Sequence, residues 1–161
     1  MEQPTNTPYS TTIDDLSELQ SYIGKELGLT EWMTMEQDRI NQFAEATEDR
    51  QWIHIDQARA AKELPEGKTI AHGYLTLSLI PSLTKNFIEV SNLEQMINFG
   101  CNKVRFYSAV SVGDKVRARG SLIKAKKRGG MMQLLSKITI DIEGKKKPAC
   151  IVEMLVLLVT K

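Results

Sequence analysis

The chain has 161 residues, the length of one domain, and its 42% hydrophobic and 25% charged residues exclude a disordered or fibrous protein. Its 21 Lys and Arg against 20 Asp and Glu leave a net charge of +1, without the basic excess typical of nucleic-acid-binding proteins. No stretch approaches the roughly 20 apolar residues of a membrane span, and the polar N-terminus lacks the apolar region of a signal peptide. We therefore expect a cytoplasmic protein that binds neither nucleic acid nor membrane.

The two cysteines, Cys101 and Cys150, both lie in apolar stretches. They are predicted to be buried free thiols, with a single disulfide as the alternative. The chain has two histidines, and no close spacing joins histidines and cysteines as in a zinc site. No metal site is therefore expected.

The N-terminal part of the chain is predicted to hold an arm and two helices. Residues 1–12 are polar, which predicts a flexible arm ahead of a single domain over residues 13–161. A longer helix over residues 35–47 is predicted by apolar residues spaced i, i+3, i+4 and i+7, with Thr34 and Gln37 as a capping box at its start. Before it, a short amphipathic helix is predicted by the spacing of Leu16, Leu19 and Ile23.

The following segment is predicted to be a loop that carries two reactive side chains. Asp49 and His54 lie five positions apart on it, before Asp56 caps a small helix. A carboxylate and an imidazole on such a loop can converge on one water molecule, and histidine is the usual general acid or base because its pKa lies near 6.5. Taken alone the pair has little specificity, since loop Asp and His residues are common.

Residues 71–87 predict a helix with an unusual apolar surface. Its apolar residues leave little polar stripe, which predicts burial on nearly all sides, and Pro81 predicts a kink or an early end. Near its start, Gly73 would let a ligand approach free amides at the electropositive helix end, or would serve close packing alone. His72 either lines that pocket or is a hydrogen-bonded structural residue.

The second half of the chain is predicted to be strands. Residues 95–107 form one, with Gly100 as a candidate bulge, and two more are joined by a Gly-Gly hairpin turn. The last run, residues 150–159, is apolar on both faces apart from Glu153, as in a central strand. One buried helix and an antiparallel meander predict an α+β fold with the sheet wrapped around the helix, the hot-dog architecture.

Three ordered motifs run through the chain. Residues 47–56 contain an Asp five positions before a His and a second Asp two positions after it. An Ile-Ala-His-Gly sequence stands at 70–73, and a GxNKVRF sequence at 100–106 is followed by Val-Gly-Asp at 112–114. Together they resemble the MaoC-like, or (R)-specific, enoyl-CoA hydratases and dehydratases, among them NodN-like members with a single hot-dog domain. The resemblance covers residues 32–159.

The resemblance implies a reversible syn addition of water to trans-2-enoyl-CoA, giving (R)-3-hydroxyacyl-CoA. Asp49 and His54 would be catalytic, holding the water that attacks C3 and returning a proton to C2, and the Gly73 amide would bind the thioester oxygen. It implies neither a metal nor another cofactor, since coenzyme A is part of the substrate, and it implies a homodimer joined through the sheets. Further candidates for substrate contacts are Ile70, His72, Tyr74 and Asn102.

Two other functions compete with a hydratase: a hot-dog thioesterase and a non-catalytic acyl-CoA binding module. Basic residues at two predicted turns, around Lys126 and Lys146, are either solvated or attract the phosphates of coenzyme A. The chain also departs from the family, with Glu48 where Gly is frequent and Glu66 where Phe is usual. These departures bear on substrate preference more than on chemistry. The acyl chain length and the carrier, coenzyme A or acyl carrier protein, stay open.

Overall fold

The computed structural model describes residues 7–160, and most of its strands belong to one antiparallel sheet. The strands of this part are β1 (Thr11–Ile13), β2 (Glu26–Leu29), β3 (Met33–Thr34), β4 (Ile88–Val90), β5 (Leu93–Phe106), β6 (Lys115–Arg128), β7 (Met131–Ile142) and β8 (Cys150–Thr160). The sheet order is β2-β6-β7-β8-β5, with β3 also pairing with β6, whereas β1 and β4 form a separate parallel pair. The predicted meander is therefore present, with β8 as an interior strand.

Short helices cover the sheet. A 3-10 helix spans Leu16–Tyr22, and the α-helices are α1 (Gln37–Thr47), α2 (Trp52–Ile55), α3 (Gln57–Glu63), α4 (Gly73–Ser78) and α5 (Ile80–Thr84). The predicted central helix is thus two pieces, α4 and α5, which meet at Leu79 just before Pro81. Pro81 stands in the first turn of α5, where its missing N–H removes no intrahelical hydrogen bond. Within residues 7–160 no helix is long and apolar enough to cross a membrane.

The core lies between α4–α5 and the inner face of the sheet. Leu75 and Ile80 of the helices belong to one buried cluster with Leu122, Ile140 and Leu158 of the strands. Each such side chain contributes roughly 1.5–3 kcal/mol by leaving water. The expectation of burial on nearly all sides is wrong, because only one face of this helical segment packs on the sheet. On the opposite face Tyr74, Ser78 and Pro81 are exposed.

The prediction of a flexible arm over residues 1–12 can be compared with the structure from residue 7 onward. Residues 1–6 of the arm lie outside the described residues. Tyr9 exchanges two backbone hydrogen bonds with Leu29, of 3.0 and 3.1 Å, and Thr11 and Thr12 pair with β4. From Tyr9 onward the prediction of a flexible arm is therefore wrong, because the backbone is bound to two elements of the domain.

Two further local predictions need correction. The helix over 35–47 begins at Gln37 instead, without the predicted capping box, because the Gln37 side chain points toward α2 and donates to the His54 carbonyl.

Both cysteines are free, but Cys101 is exposed whereas Cys150 is buried. The difference arises because β5 forms an edge of the sheet while β8 lies inside it. The bulge at Gly100 is confirmed by a shift in the β5–β8 register between Asn98 and Gly100.

Candidate active site

Asp49 follows a sharp turn at the end of α1. Glu48, the residue before it, has φ 61°, in the left-handed region that favours glycine. This conformation explains why glycine suits the position, and the Glu48 side chain is exposed. The Asp49 carboxylate accepts a hydrogen bond from Gln51 Nε2 at 3.2 Å, and its main-chain carbonyl accepts one from His72 Nε2 at 2.9 Å.

His54 stands on the single turn of α2, so the prediction of a loop from Asp49 to His54 is wrong at its C-terminal end. The side chain is buried, and Nδ1–H donates to the Ile70 carbonyl at 2.6 Å. Because a carbonyl can only accept, this bond places the proton on Nδ1 and leaves the lone pair on Nε2. Behind it, the Gln37 amide donates to the His54 carbonyl at 2.8 Å, and the Thr69 hydroxyl donates to Gln37 Oε1.

The surroundings of His54 keep its imidazole neutral. Burial lowers the pKa of His54 below its ordinary value of about 6.5, and the nearby His72 acts in the same direction. The hydrogen bond to the Ile70 carbonyl and the charge of Asp49 oppose that lowering without cancelling it. A buried, neutral imidazole with a free Nε2 is suited to accept a proton near pH 7.

His72, just before the start of α4, contacts both Asp49 and His54. Its ring stacks on that of His54, with centroids 3.7 Å apart and planes inclined by 26°. On another side it contacts the Phe43 ring, at 5.0 Å between centroids. One carboxylate oxygen of Asp49 and one ring nitrogen of each histidine lie within 4.8 Å of one another. These donors could approach a metal ion, and because His54 Nδ1 and His72 Nε2 each donate to a main-chain carbonyl, each ring has one nitrogen left as a ligand or proton acceptor.

A cavity of about 340 Å³ opens beside His54. This volume lies near the lower end of the range for small-molecule sites. Ile70, Ala71 and Gly73 form one wall of the cavity, and Phe106 and Tyr107 at the end of β5 form another. The Phe106 ring covers Gly73 so closely that a Cβ at this position would lie 3.2 Å from ring carbons. Close packing therefore accounts for this glycine, and its role as an oxyanion donor stays a prediction.

The predicted substrate contacts divide into two groups. Ile70 lines the cavity, and His72 adjoins Asp49 and His54. Tyr74 is 69% exposed with its ring against Phe106, and Asn102 lies on β5 opposite Glu153, so neither belongs to the lining formed by the described residues.

The residues that sequence reasoning missed are polar partners and one aromatic wall. Gln37 and Thr69 support the His54 backbone, but nothing in their local sequence patterns signals that contact. Phe106, in contrast, stands inside the GxNKVRF motif and could have been singled out as a site residue.

The departure at Glu66 has a structural explanation. Its carboxylate accepts from the Ser111 hydroxyl at 2.7 Å and from Lys145 at 3.2 Å, and Lys145 also binds Asp114 at 3.0 Å. Glu66 therefore ties the loop before α4 to the turn before β6. Lys145, which belongs to the basic turn around Lys146, therefore forms ion pairs with Glu66 and Asp114.

A second, apolar cavity of about 280 Å³ lies at the other end of the α4–α5 segment. Ile80 and Pro81 of α5 and Phe87 form one side of it, and Leu134 and Leu158 of the sheet form another. Its polar lining residues include Asn98 and Ser136, and it shares no lining residue with the cavity beside His54.

Comparison with known proteins identifies the class to which this fold and site belong. Residues 18–141 match the family described as MaoC like domain, so the chain belongs to that family. The 3-hydroxyacyl-thioester dehydratase Z of Mycobacterium tuberculosis is 42% identical over 146 residues, which are 90% of this chain and 96% of that protein. Nodulation protein N of Rhizobium leguminosarum bv. viciae is 42% identical over 138 residues, 83% of this chain and 84% of the relative.

Solved structures agree with the fold. R-Hydratase PhaJ1 from Pseudomonas aeruginosa superposes with a TM-score of 0.65 at 20% identity, covering 81% of this chain and 79% of that one. The prediction of an α+β hot-dog fold is therefore confirmed, as are the family and the class of hydratase or dehydratase enzyme. The roles of individual site residues stay predictions.

Proposed function

We propose that the protein is an (R)-specific 2-enoyl-thioester hydratase, which adds water to trans-2-enoyl-CoA and, in reverse, dehydrates (R)-3-hydroxyacyl-CoA. One observation carries the proposal: His54 lines a cavity with a carboxylate oxygen of Asp49 within 4.8 Å of its ring, and the bond from His54 Nδ1 to the Ile70 carbonyl leaves Nε2 as the acceptor nitrogen. The relative named 3-hydroxyacyl-thioester dehydratase Z supports a 3-hydroxyacyl thioester as the substrate in the dehydration direction.

In the proposed mechanism, the Asp49 carboxylate and His54 Nε2 hold one water molecule. His54 Nε2 takes a proton as the water oxygen bonds to C3, and the electrons of the C2–C3 double bond move toward the thioester carbonyl. The Gly73 amide stabilises the developing enolate oxygen, a contribution of about 10²–10³ in rate for one such donor. Return of the proton to C2 from the same face completes a syn addition and restores the starting state of both residues.

We further propose that the enzyme is a homodimer joined through β5. Within the described chain β5 pairs with β8 on one side, and its other edge is open. Apolar side chains on this strand, among them Ile97, Phe99 and Phe106, are exposed. Open, apolar sheet edges promote association, so pairing with a second copy would cover them. Light scattering on a sizing column should give twice the 18.2 kDa of one chain; a single-chain mass would contradict the dimer.

The activity test follows loss of the enoyl absorbance of crotonyl-CoA. We expect Asp49→Asn and His54→Ala to be at least about a hundredfold slower than the wild type, since the first removes the carboxylate that holds the water and the second removes the base. Glu48→Gln is the matched control, because it makes the same chemical change one position away on an exposed side chain. Chiral analysis of the product should give (R)-3-hydroxybutyryl-CoA.

Other outcomes would distinguish the alternatives. Near-normal rates in both Asp49→Asn and His54→Ala would overturn the assignment of the catalytic pair. Release of free thiol would instead indicate a thioesterase. If neither crotonyl-CoA nor longer enoyl chains react, binding of acyl-CoA without turnover would favour the binding module.

A further inference from the structure

His72 contacts both members of the proposed catalytic pair and one further aromatic ring. Its Nε2–H donates to the Asp49 main-chain carbonyl at 2.9 Å, and its ring stacks on His54 at 3.7 Å. Phe43 supports the ring from another side at 5.0 Å. His72 is therefore joined to Asp49 through the backbone and to His54 through the ring face, while it stands at the N-cap of α4.

The second nitrogen of His72 does not fit a purely structural role. Because Nε2–H donates a hydrogen bond to the Asp49 carbonyl, Nδ1 is the nitrogen that can accept a hydrogen bond in the neutral form of the ring. It is buried, and no group within residues 7–160 donates to it. A buried polar atom left without a partner costs roughly 1–3 kcal/mol, and most buried polar atoms are paired. Such local costs are concentrated at functional sites, where geometry is selected at the expense of stability.

We propose that His72 is a positioning residue for the Asp49–His54 pair, fixing the main chain at Asp49 through Nε2 and the plane of the His54 imidazole through the stack. This inference rests on the proposed function, because it assigns His72 a task only if those two residues carry the chemistry. Displacement of a reacting group by about 1 Å can lower a rate about a hundredfold, so control of the His54 plane has a measurable effect.

The stack also has an electrostatic consequence. Two titratable groups act on the pKa of His54: His72 lowers it when its own ring is protonated, and the Asp49 carboxylate raises it. The Ile70 carbonyl is the uncharged group that raises the pKa of His54, while Gln37 of α1 donates to the main-chain carbonyl of His54 and Tyr107 lines the same cavity. Replacing His72 by a residue that cannot become charged should therefore move the acid limb of kcat/KM to higher pH.

Two substitutions separate the contacts. His72→Gln keeps an amide donor for the Asp49 carbonyl but removes the ring, whereas His72→Phe keeps a ring for the stack but removes the donor. We expect kcat on crotonyl-CoA to fall between about 10- and 100-fold in each, with KM changed much less. In both variants the acid limb should move to higher pH, an effect that simple loss of folded protein does not produce.

The wild-type enzyme offers a test that needs no variant. Its only two histidines, His54 and His72, are both in this site, so nitrogen NMR of the imidazoles resolves them directly. The structure requires the proton on Nδ1 of His54 and on Nε2 of His72 near neutral pH. The opposite tautomer at His72 would overturn the proposal even if both variants failed to fold.

The outcomes keep the two proposals distinct. Folded His72→Gln and His72→Phe with kcat within about twofold of wild type and an unmoved acid limb would overturn the positioning role. If Asp49→Asn is inactive in the same assay, that outcome overturns only the positioning role of His72, and the proposed catalytic pair stands. If Asp49→Asn is as active as wild type, the proposed catalytic pair itself fails. Thr139→Val, at a buried site on β7, is the control for a change in stability without a change in kcat.

Discussion

The two cavities at opposite ends of the α4–α5 segment are built in different ways. The cavity beside His54 depends on a few directed hydrogen bonds, such as those to the carbonyls of Ile70 and Asp49. The cavity beside Pro81 is formed by apolar side chains from helices and strands distributed along the chain. We therefore expect substitutions at the first end to change rate more than stability, and substitutions at the second to change stability more than rate.

Leu158→Ala gives the largest expected effect on stability. Leu158 is fully buried on β8 and lines the apolar cavity, so truncation removes buried surface and enlarges an existing void. Its free energy of unfolding should fall by about 2–5 kcal/mol in urea titrations. The rate on crotonyl-CoA per folded molecule should stay near that of the wild type. Leu158→Met, which nearly conserves volume, should cost less than about 1.5 kcal/mol; an equal cost for both would contradict the cavity explanation.

The pH dependence of kcat/KM tests the polar end. His54 must be neutral to act as a base, and burial lowers its pKa below about 6.5. Activity should therefore be retained at pH 6.5 and fall about tenfold per pH unit only below the folded-state pKa. The same shift makes stability fall from about pH 6.5 downward, because the unfolded chain takes up the proton first. An acid limb centred above 6.5 would contradict this environment.

Gly73→Ala tests the contact that joins the cavity wall to the helix start. The new methyl group would lie 3.2 Å from Phe106 ring carbons, so the ring, which is part of the cavity wall beside His54, must shift. We expect kcat/KM to fall about tenfold while the protein stays folded. Adding Phe106→Leu to Gly73→Ala should recover much of that loss. If the double variant is no better than Gly73→Ala, displacement of the ring is not the cause.

Glu48→Gly should give the smallest effect, an increase in stability. Left-handed backbone costs a residue with a Cβ roughly 1–2 kcal/mol, part of which the greater freedom of unfolded glycine offsets. The free energy of unfolding should rise by about 0.5–1 kcal/mol, measured in urea, with little change in rate. Glu48→Gln removes the same charge but keeps the Cβ, so a similar gain in both would assign the effect to charge.

Patterns with a fixed period predicted most of the fold. Alternation in the second half gave the strands, and Pro81 gave the break between α4 and α5. The capping box at Thr34 failed because Gln37 found a tertiary partner in the His54 carbonyl. Burial on nearly all sides of the central helix failed because hydrophobicity does not specify which face meets the sheet.

At the site, the motifs identified residues but not their contacts. Spacing and resemblance singled out Asp49, His54 and His72, which the structure brings within 4.8 Å. The carbonyl that accepts the hydrogen bond lies 16 positions from His54 and 23 positions from His72 in sequence, and no local sequence pattern predicts a contact over such a separation. Asn102 stands inside the GxNKVRF motif and Tyr74 directly follows the Ile-Ala-His-Gly motif, but both lie outside the cavity lining of the described chain, because a motif does not show the direction of a side chain.

Both histidines donate a hydrogen bond from a ring N–H to a main-chain carbonyl, and this has a consequence for mutational drift. Every amino acid supplies the same carbonyl, so replacement of the Ile70 side chain leaves the acceptor for His54 in place as long as the backbone path is kept. Such a site can accumulate changes at its acceptor positions without altering which nitrogen is protonated. The backbone path fixes which nitrogen of each histidine is protonated, whereas in triads with a carboxylate acceptor the tautomer depends on one side chain.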